Sequence, residues 1–337
     1  MPSWLAEIAK NEGGRLRFDR FMELALRHPI YGYYTRQIRG IGKSGDFSTS
    51  TTLSPALGKA VFNWLEAEAD YLGLDPLIII EAGVGTGALA KAILSQTRPW
   101  SRVQYFGVDL RPTTTILDTS LARRRRFHSF KTLETALLEA KGKAIIVSNE
   151  LVDAFPCRRL VRSETGWADL YLRFEADQWR QELSPAQISF PCSALDAGFE
   201  VGQTIEVHES FRDWLATLSH QLQSGAILTI DYGGGPDEIY RRRPDGTLRG
   251  YFRQERIEGS GVFHRAGQQD LTADVNFVDL QLWGSSFGLS TVDYLTQREF
   301  VTRWFPKALL KATTATAFTL REDGAGTAFK VLHQRRG

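Results

Sequence analysis

At 337 residues, 42% hydrophobic and 24% charged, the chain has the composition of a folded protein with a sizeable core, long enough for one large α/β domain with insertions or for two modest ones. Its 41 Lys and Arg against 39 Asp and Glu leave a net charge of +2, which implies no polyanion-binding field and so no nucleic-acid partner. Cys157 and Cys192 lack CxxC or Cys/His spacing and the six histidines lack HxxxH or HExxH, so neither a disulfide framework nor a metal is expected.

Met1 to Lys10 mixes Trp4 and Leu5 with Glu7 and Lys10, which predicts a helix rather than a signal peptide. No segment approaches membrane-spanning length, so the expected setting is a reducing cytoplasm without a membrane partner. Asp19 is expected to cap a helix carrying Phe21, Leu24 and Ala25 and stopped by Pro29. An aromatic loop, Pro29 to Tyr34, and a glycine-rich stretch through Gly40, Gly42 and Gly45 follow. Ser54-Pro55 then opens a helix with Leu57, Val61, Trp64 and Leu65 on one face. Residues 1–75 thus read as a helical cover with a cofactor-covering loop.

From residue 76 strands and helices alternate: strands at 77–81, 105–109, 144–148 and 226–231, helices near 88–96, 112–122 and 132–140. That alternation predicts right-handed crossovers and a mainly parallel, doubly wound sheet, with 76–156 its first part. The arginine run Arg123 to Arg126 reads as a solvated helix end or loop. About 75 residues separate the last two strands, too many for a plain loop. Within them, β-like runs at 158–161, 168–174 and 178–182 and a helix near 209–222 predict an inserted α+β subdomain over 157–224. Residues 225–337 complete the core, with a loop-rich insertion near 236–272 (loops at 246–252 and 267–272), a helix over 274–287 and a final strand over 327–333.

The most informative stretch is Leu77-Ile78-Ile79-Ile80-Glu81-Ala82-Gly83-Val84-Gly85-Thr86-Gly87-Ala88. An apolar strand ends in a carboxylate, turns through three alternating glycines and enters a helix, the arrangement by which α/β folds hold nucleotide-like cofactors. Gly83, Gly85 and Ala88 also satisfy G-x-G-x-x-A, so the turn alone fits NAD or S-adenosylmethionine. Glu81 favours the latter: at the strand mouth it would anchor the amino end of methionine through water, and it would repel a pyrophosphate. No Lys-Ser/Thr pair follows the glycines, which argues against a P-loop. Asp109, ending the second strand, is placed to accept ribose hydroxyls, each charge-assisted bond worth about 1.5–3 kcal/mol.

Asn149-Glu150-Leu151-Val152-Asp153-Ala154-Phe155-Pro156 follows the next strand and sets Asn149, Glu150 and Asp153 where this fold does its chemistry; simple capping is the plainer alternative. Asp231-Tyr232-Gly233 closes the strand after that, either at the same rim or as an ordinary turn. Gly45-Asp46-Phe47-Ser48-Thr49-Ser50 is by itself a polar loop.

Taken together these clusters resemble the MidA family of S-adenosylmethionine-dependent methyltransferases, whose mitochondrial members are complex I assembly factors that methylate an arginine of a partner subunit. The resemblance runs from about Phe21 to Leu295. It rests on Pro29–Tyr34 as PxxGYY, Gly45–Thr49 as GDFxT, Glu81–Leu89 as the glycine turn, Asn149–Pro156 as NExxDAxP and Asp231–Gly233 as DYG. Gly267 to Thr272 and Val275-Asn276-Phe277 complete it. The chain departs from the family in Thr51-Thr52 for Pro-Glu, in Thr86 for an arginine, in the shorter acid Asp109, and in having no carboxylate near Phe127-His128-Ser129.

The resemblance implies a class I methyltransferase, a Rossmann-like doubly wound sheet with S-adenosylmethionine as cofactor. It implies that Glu81, Gly83, Gly85, Gly87, Asp109, Asp46 and Thr49 bind the cofactor, that Glu150, Asp153 and Asn149 are catalytic, and that Asp231, Tyr232 and Tyr33 contact the substrate. If the acceptor is an arginine of a protein, Glu150 and Asp153 are expected to grip its guanidinium and free one nitrogen for attack. A small-molecule O- or N-methyltransferase and a non-catalytic cofactor-binding assembly factor are the alternatives, with NAD chemistry more distant. A homodimer remains open.

Overall fold

The computed structural model describes residues 2–35, 54–98, 101–110, 126–175, 178–253, 255–309, 316–317 and 320–336. Asp46, Thr49, the helix expected over 112–122 and Arg123 to Arg125 lie outside the described residues. Contacts group the chain into two units rather than consecutive stretches. One comprises Ser48–Leu151, Trp214–Tyr232 and Trp283–Gly337; the other comprises Met1–Phe47, Val152–Asp213 and Gly233–Leu282.

The first unit is built on a sheet whose strands are β1 (Leu77–Ala82), β2 (Val103–Val108), β3 (Phe127–Phe130), β4 (Lys143–Asn149), β5 (Ser224–Gly234, its last two residues in the other unit), β6 (Ser290–Thr296) and β7 (Phe329–Arg336). Among the described residues their order is β6-β7-β5-β4-β1-β2-β3. Strands β1 to β5 pair in parallel, and β7 runs antiparallel to both neighbours. β1 and β4 are apolar almost throughout because helices cover both faces of such a sheet. The helix Pro55–Leu72 starts where expected: the Ser54 side chain accepts from the Leu57 N–H at 3.2 Å, Pro55 sits in the first turn, and left-handed Gly73 ends it. Its Trp64 and Leu65 join Ile79, Leu89, Tyr105, Ile145, Leu228 and Val331 in one core. The strand order reverses between β1 and β4, which puts the switch point of the fold at their carboxyl ends. β6 and the helix Gln297–Trp304 were not expected; β6 is largely exposed and has no apolar alternation, and the helix is fixed by a Thr296–Glu299 capping box.

In the second unit, strands Arg15–Arg17, Gly166–Glu175, Arg158–Ser163 and Thr204–Val207 pair antiparallel in that order, with Gln178–Pro185 also on Gly166–Glu175. The helices Ser3–Asn11 and Phe18–Arg27 contribute Leu5, Phe18, Phe21 and Met22 to a core shared with Leu172, Phe263 and Leu271. Three expectations are corrected here. The helix begins at Phe18 without a side-chain cap, and Asp19 lies in its first turn, ion-paired to Arg17 at 2.6 Å. The stretches read as loops at 246–252 and 267–272 contain strands Arg249–Phe252 and Asp270–Thr272, which pair with each other and, through the former, with Glu255–Ile257. The helix expected from 274 begins at Phe277, because Val275–Asn276 pairs with Gly233–Gly234. No described helix is long and apolar enough to cross a membrane, and no group of His, Cys, Asp and Glu suited to a metal occurs among the described residues.

Candidate functional site

The turn after β1 holds Gly83, Gly85 and Gly87 at φ of 74°, 50° and 71°, backbone that L side chains adopt rarely. The Gly83 and Val84 N–H groups both donate to the Val108 carbonyl, at 2.9 and 3.1 Å, tying the turn to β2. Two of the glycines are needed for different reasons. A Cβ on Gly83 would stand 2.8 Å from the Leu151 side chain, whereas one on Gly85 would enter open space, its nearest neighbour the Gly83 carbonyl oxygen at 3.8 Å. That open space beside bare backbone is what a ligand approaching the turn requires. Asp109, expected to read a ribose, also accepts the Gly85 N–H at 3.0 Å and so braces the turn.

Glu81 is 4% exposed. Burial pushes its carboxyl up to about 8, and Asp109 adds to the rise, while the Tyr105 hydroxyl, donating at 2.6 Å, and the Ala90 N–H pull the other way. Among the described residues no basic side chain forms an ion pair with it. A buried carboxyl without a protein cation stays protonated near neutral pH until a cation arrives, and the ammonium of an amino-acid moiety is such a cation. The residues present therefore fit the methionine end of S-adenosylmethionine.

At the end of β4, Asn149 lies opposite Ile230, and the Glu150 N–H donates to the Ile230 carbonyl at 3.0 Å. Glu150 itself has φ 52°, an uncommon backbone for a residue with a side chain, and strain of this kind costs on the order of 1–3 kcal/mol. The Asn149 amide donates to Glu150 Oε1 at 3.3 Å, so the two expected catalytic residues form one polar corner. Asp231 is fully buried and accepts the Leu151 N–H at 3.2 Å and the Tyr232 N–H at 2.9 Å. Both of its oxygens take backbone donors, which makes it a brace of the Glu150 turn. Tyr232 packs edge-on against Phe329, centroids 5.6 Å apart.

Asp153, three residues beyond Glu150, belongs to the second unit and has its carbonyl bonded by the Ala273 N–H at 3.0 Å. Tyr33 is buried there and meets Tyr34 edge-on, centroids 5.3 Å apart. The Tyr34 hydroxyl donates to Asp270 Oδ1 at 2.6 Å. Burial raises Asp270 to about 7; Tyr34, the Leu271 N–H and Arg249 oppose the rise, and Asp153 reinforces it. Burial likewise pushes the Tyr34 hydroxyl well above its ordinary value. The PxxGYY, NExxDAxP and GQQDLT segments thus converge on Tyr34, Asp153 and Asp270. Tyr34 and Asp270 were not singled out from the sequence, although each stood inside a recognised motif.

Comparison with known proteins adds the following. A family model described as "Putative S-adenosyl-L-methionine-dependent methyltransferase" matches residues 56–295. A Drosophila melanogaster protein named "Protein arginine methyltransferase NDUFAF7 homolog, mitochondrial" is 25% identical over 300 residues, 78% of this chain and 65% of that protein. The Danio rerio protein named "Protein arginine methyltransferase NDUFAF7, mitochondrial" is 23% identical over 323 residues, 86% of this chain and 72% of its own length. The chain thus spans roughly two thirds of the length of these relatives. Among solved structures, a Burkholderia thailandensis COG1565 superfamily member bound to S-adenosyl-homocysteine superposes with a TM-score of 0.86 at 24% identity, covering 99% of this chain and 91% of that one. A native structure of a COG1565 superfamily protein from the same organism gives 0.82 at 23%, with the same coverage. The fold is that of the class I methyltransferases.

Proposed function

The chain belongs to this S-adenosyl-L-methionine-dependent methyltransferase family, and from that premise we propose that it methylates an arginine side chain of a partner protein. The observation that carries the cofactor half of this reading is the buried Glu81 carboxyl at the switch point, short of a cation and one turn from the open face of Gly85. Glu81 holds the amino end of the cofactor, Gly83, Gly85 and Gly87 give the backbone its approach, and Asp109 keeps the turn in place while reaching the ribose. When bound, S-adenosylmethionine supplies a methyl group on a positively charged sulfur. The remaining work falls to the protein: orienting the acceptor nitrogen and accommodating its charge.

The arginine half is supported by the relatives named protein arginine methyltransferases and by the Asn149–Glu150 corner. A guanidinium is protonated in water and nucleophilically poor. The Glu150 carboxylate, steadied by the Asn149 amide and aimed by a strained backbone, would pair with its N–H groups and localise positive charge away from the attacking nitrogen. Methylation then releases one proton from that nitrogen. The test is incubation of the protein with cell extract and isotopically methyl-labelled cofactor, followed by mass spectrometry of hydrolysed protein. Labelled methylarginine is the expected product. Label confined to small molecules, or absent despite tight cofactor binding, would overturn the assignment in favour of a small-molecule methyltransferase or a binding module.

A further inference from the structure

We propose that a cavity beside the helices Ser3–Asn11 and Phe18–Arg27 is a carboxylate-binding site anchored by the Arg27 guanidinium. The cavity has a volume of about 440 Å³ and is lined by Ile8, Glu12, Arg20, Glu23, Arg27 and His28, among others. That volume lies within the range typical of ligand pockets, about 300–1,000 Å³. Arg20, Glu23 and Arg27 lie three and four residues apart and so share one helix face.

The two arginines on that face are in different states. Arg20 is saturated: it pairs with Glu12 at 2.9 Å and Glu23 at 2.7 Å, which together satisfy both acids of the wall. Arg27 is partly buried, lies over the Phe155 ring at 4.5 Å from its centroid, and has no ion pair or hydrogen-bond partner for its guanidinium among the described residues. Burial lowers its pKa, with Tyr34 and Glu23 opposing, yet a guanidinium remains charged at neutral pH. The Phe155 ring and the Glu23 charge offset part of the cost of desolvating this cation, but its N–H donors have no acceptor among the described residues. The dipole of the helix it terminates favours a cation in the last turn but does not require the ring stacking.

The chemistry of the ligand follows from the wall. The guanidinium held over Phe155 carries a fork of N–H donors, the geometry that matches a carboxylate in two parallel bonds. Two acids against two arginines leave the lining neutral, so a monocarboxylate adds one negative charge, placed on the Arg27 donors, whereas a phosphate dianion adds two beside Glu12 and Glu23. Ile8 and Leu24 supply an apolar wall for the carbon attached to the carboxylate.

This site goes beyond methyl transfer and does not depend on the acceptor. It is tested by calorimetric titration of the full chain with a capped Ala-Ala-Glu-Ala-Ala peptide, its Gln counterpart, and propionate. The Glu peptide or propionate should bind and the Gln peptide should not. Preference for the peptide identifies a polypeptide as the source of the carboxylate, and preference for propionate identifies a small acid; either supports the site. Arg27→Met, which keeps the stem over Phe155, should weaken binding by about tenfold to a hundredfold, the loss of charge-assisted hydrogen bonds. Arg27→Lys should lie between, because it keeps charge and loses the fork. Unchanged S-adenosyl-homocysteine affinity in both variants establishes that they are folded. Equal binding of the Glu and Gln peptides with none of propionate, no binding of any carboxylate probe, or wild-type binding by both variants, would overturn the proposal. No outcome involves turnover, so failure here would leave the methyltransferase reading intact.

Discussion

Each unit buries an acid against a tyrosine hydroxyl at the same distance, 2.6 Å for Glu81 with Tyr105 and 2.6 Å for Asp270 with Tyr34. The surroundings of the two pairs differ. Asp270 has help from the chain itself, a backbone N–H from Leu271 and the charge of Arg249, and settles at about 7. Glu81 has the Ala90 N–H but, among the described residues, no basic side chain acting on it, has Asp109 adding negative charge, and settles higher, at about 8. The Asp270–Tyr34 pair is completed by protein and the Glu81–Tyr105 pair is left for a ligand to complete. That difference marks the carboxyl end of β1 as a binding site more clearly than the glycine pattern does.

The largest expected effect comes from removing the acid of the Glu81–Tyr105 pair. Glu81→Gln should weaken binding of S-adenosyl-homocysteine by at least about 10²-fold, the scale of losing a desolvated charge partner. The same change should stabilise the ligand-free protein. In the folded state both carboxyls keep protons that an unfolded chain releases above ordinary values of 4.5 and 3.8, so the stability they contribute is lost as pH rises, towards about 8 for Glu81 and about 7 for Asp270. Chemical denaturation at pH 8 should therefore show Glu81→Gln more stable than wild type by about 1 kcal/mol or more. A variant that loses stability at pH 8 would contradict the assigned burial cost.

Next in size is the turn. Gly85→Ala places a Cβ in the open space beside the backbone at a φ that costs about 1–2 kcal/mol. Affinity for S-adenosyl-homocysteine should fall about tenfold or more while the melting transition stays cooperative. Wild-type affinity would mean the cofactor does not approach that face. Asp109→Ala should act in the same direction and lower stability slightly, since it frees the Gly85 N–H as well as removing a ribose contact.

The self-completed pair should behave oppositely. Tyr34→Phe removes the donor to Asp270 and should cost about 1–3 kcal/mol in urea unfolding, with the loss greater above pH 7, where Asp270 ionises and needs that donor most. Cofactor affinity should not change; a large loss of affinity would show that the two pairs are energetically linked.

How much of this could be read from the sequence follows from the range of the interactions. β1, β4 and β5 announce themselves as unbroken apolar runs, and the strand, carboxylate and glycines of 77–88 are contiguous, so the fold class and Glu81 were legible. So was the polar cluster at Asn149 and Glu150, because it directly follows a strand. Arg249–Phe252 and Asp270–Thr272 were not, since each is short and polar and becomes a strand only through the other. The Tyr34–Asp270 bond spans 236 residues, and no local pattern encodes it. Asp231 could be placed at the rim, yet its task of holding the Leu151 and Tyr232 N–H groups depends on a register between β4 and β5 that no spacing reveals.

The most direct measurement is calorimetric titration of S-adenosyl-homocysteine at pH 7 in buffers of different ionisation enthalpy. Glu81, protonated in the free protein with a pKa of about 8, should ionise as the ligand's ammonium arrives, so binding should release a large fraction of one proton. Glu81→Gln should abolish that release along with most of the affinity. Tight binding with no buffer dependence, or a release that persists in Glu81→Gln, would contradict the claim that the ligand supplies the missing cation.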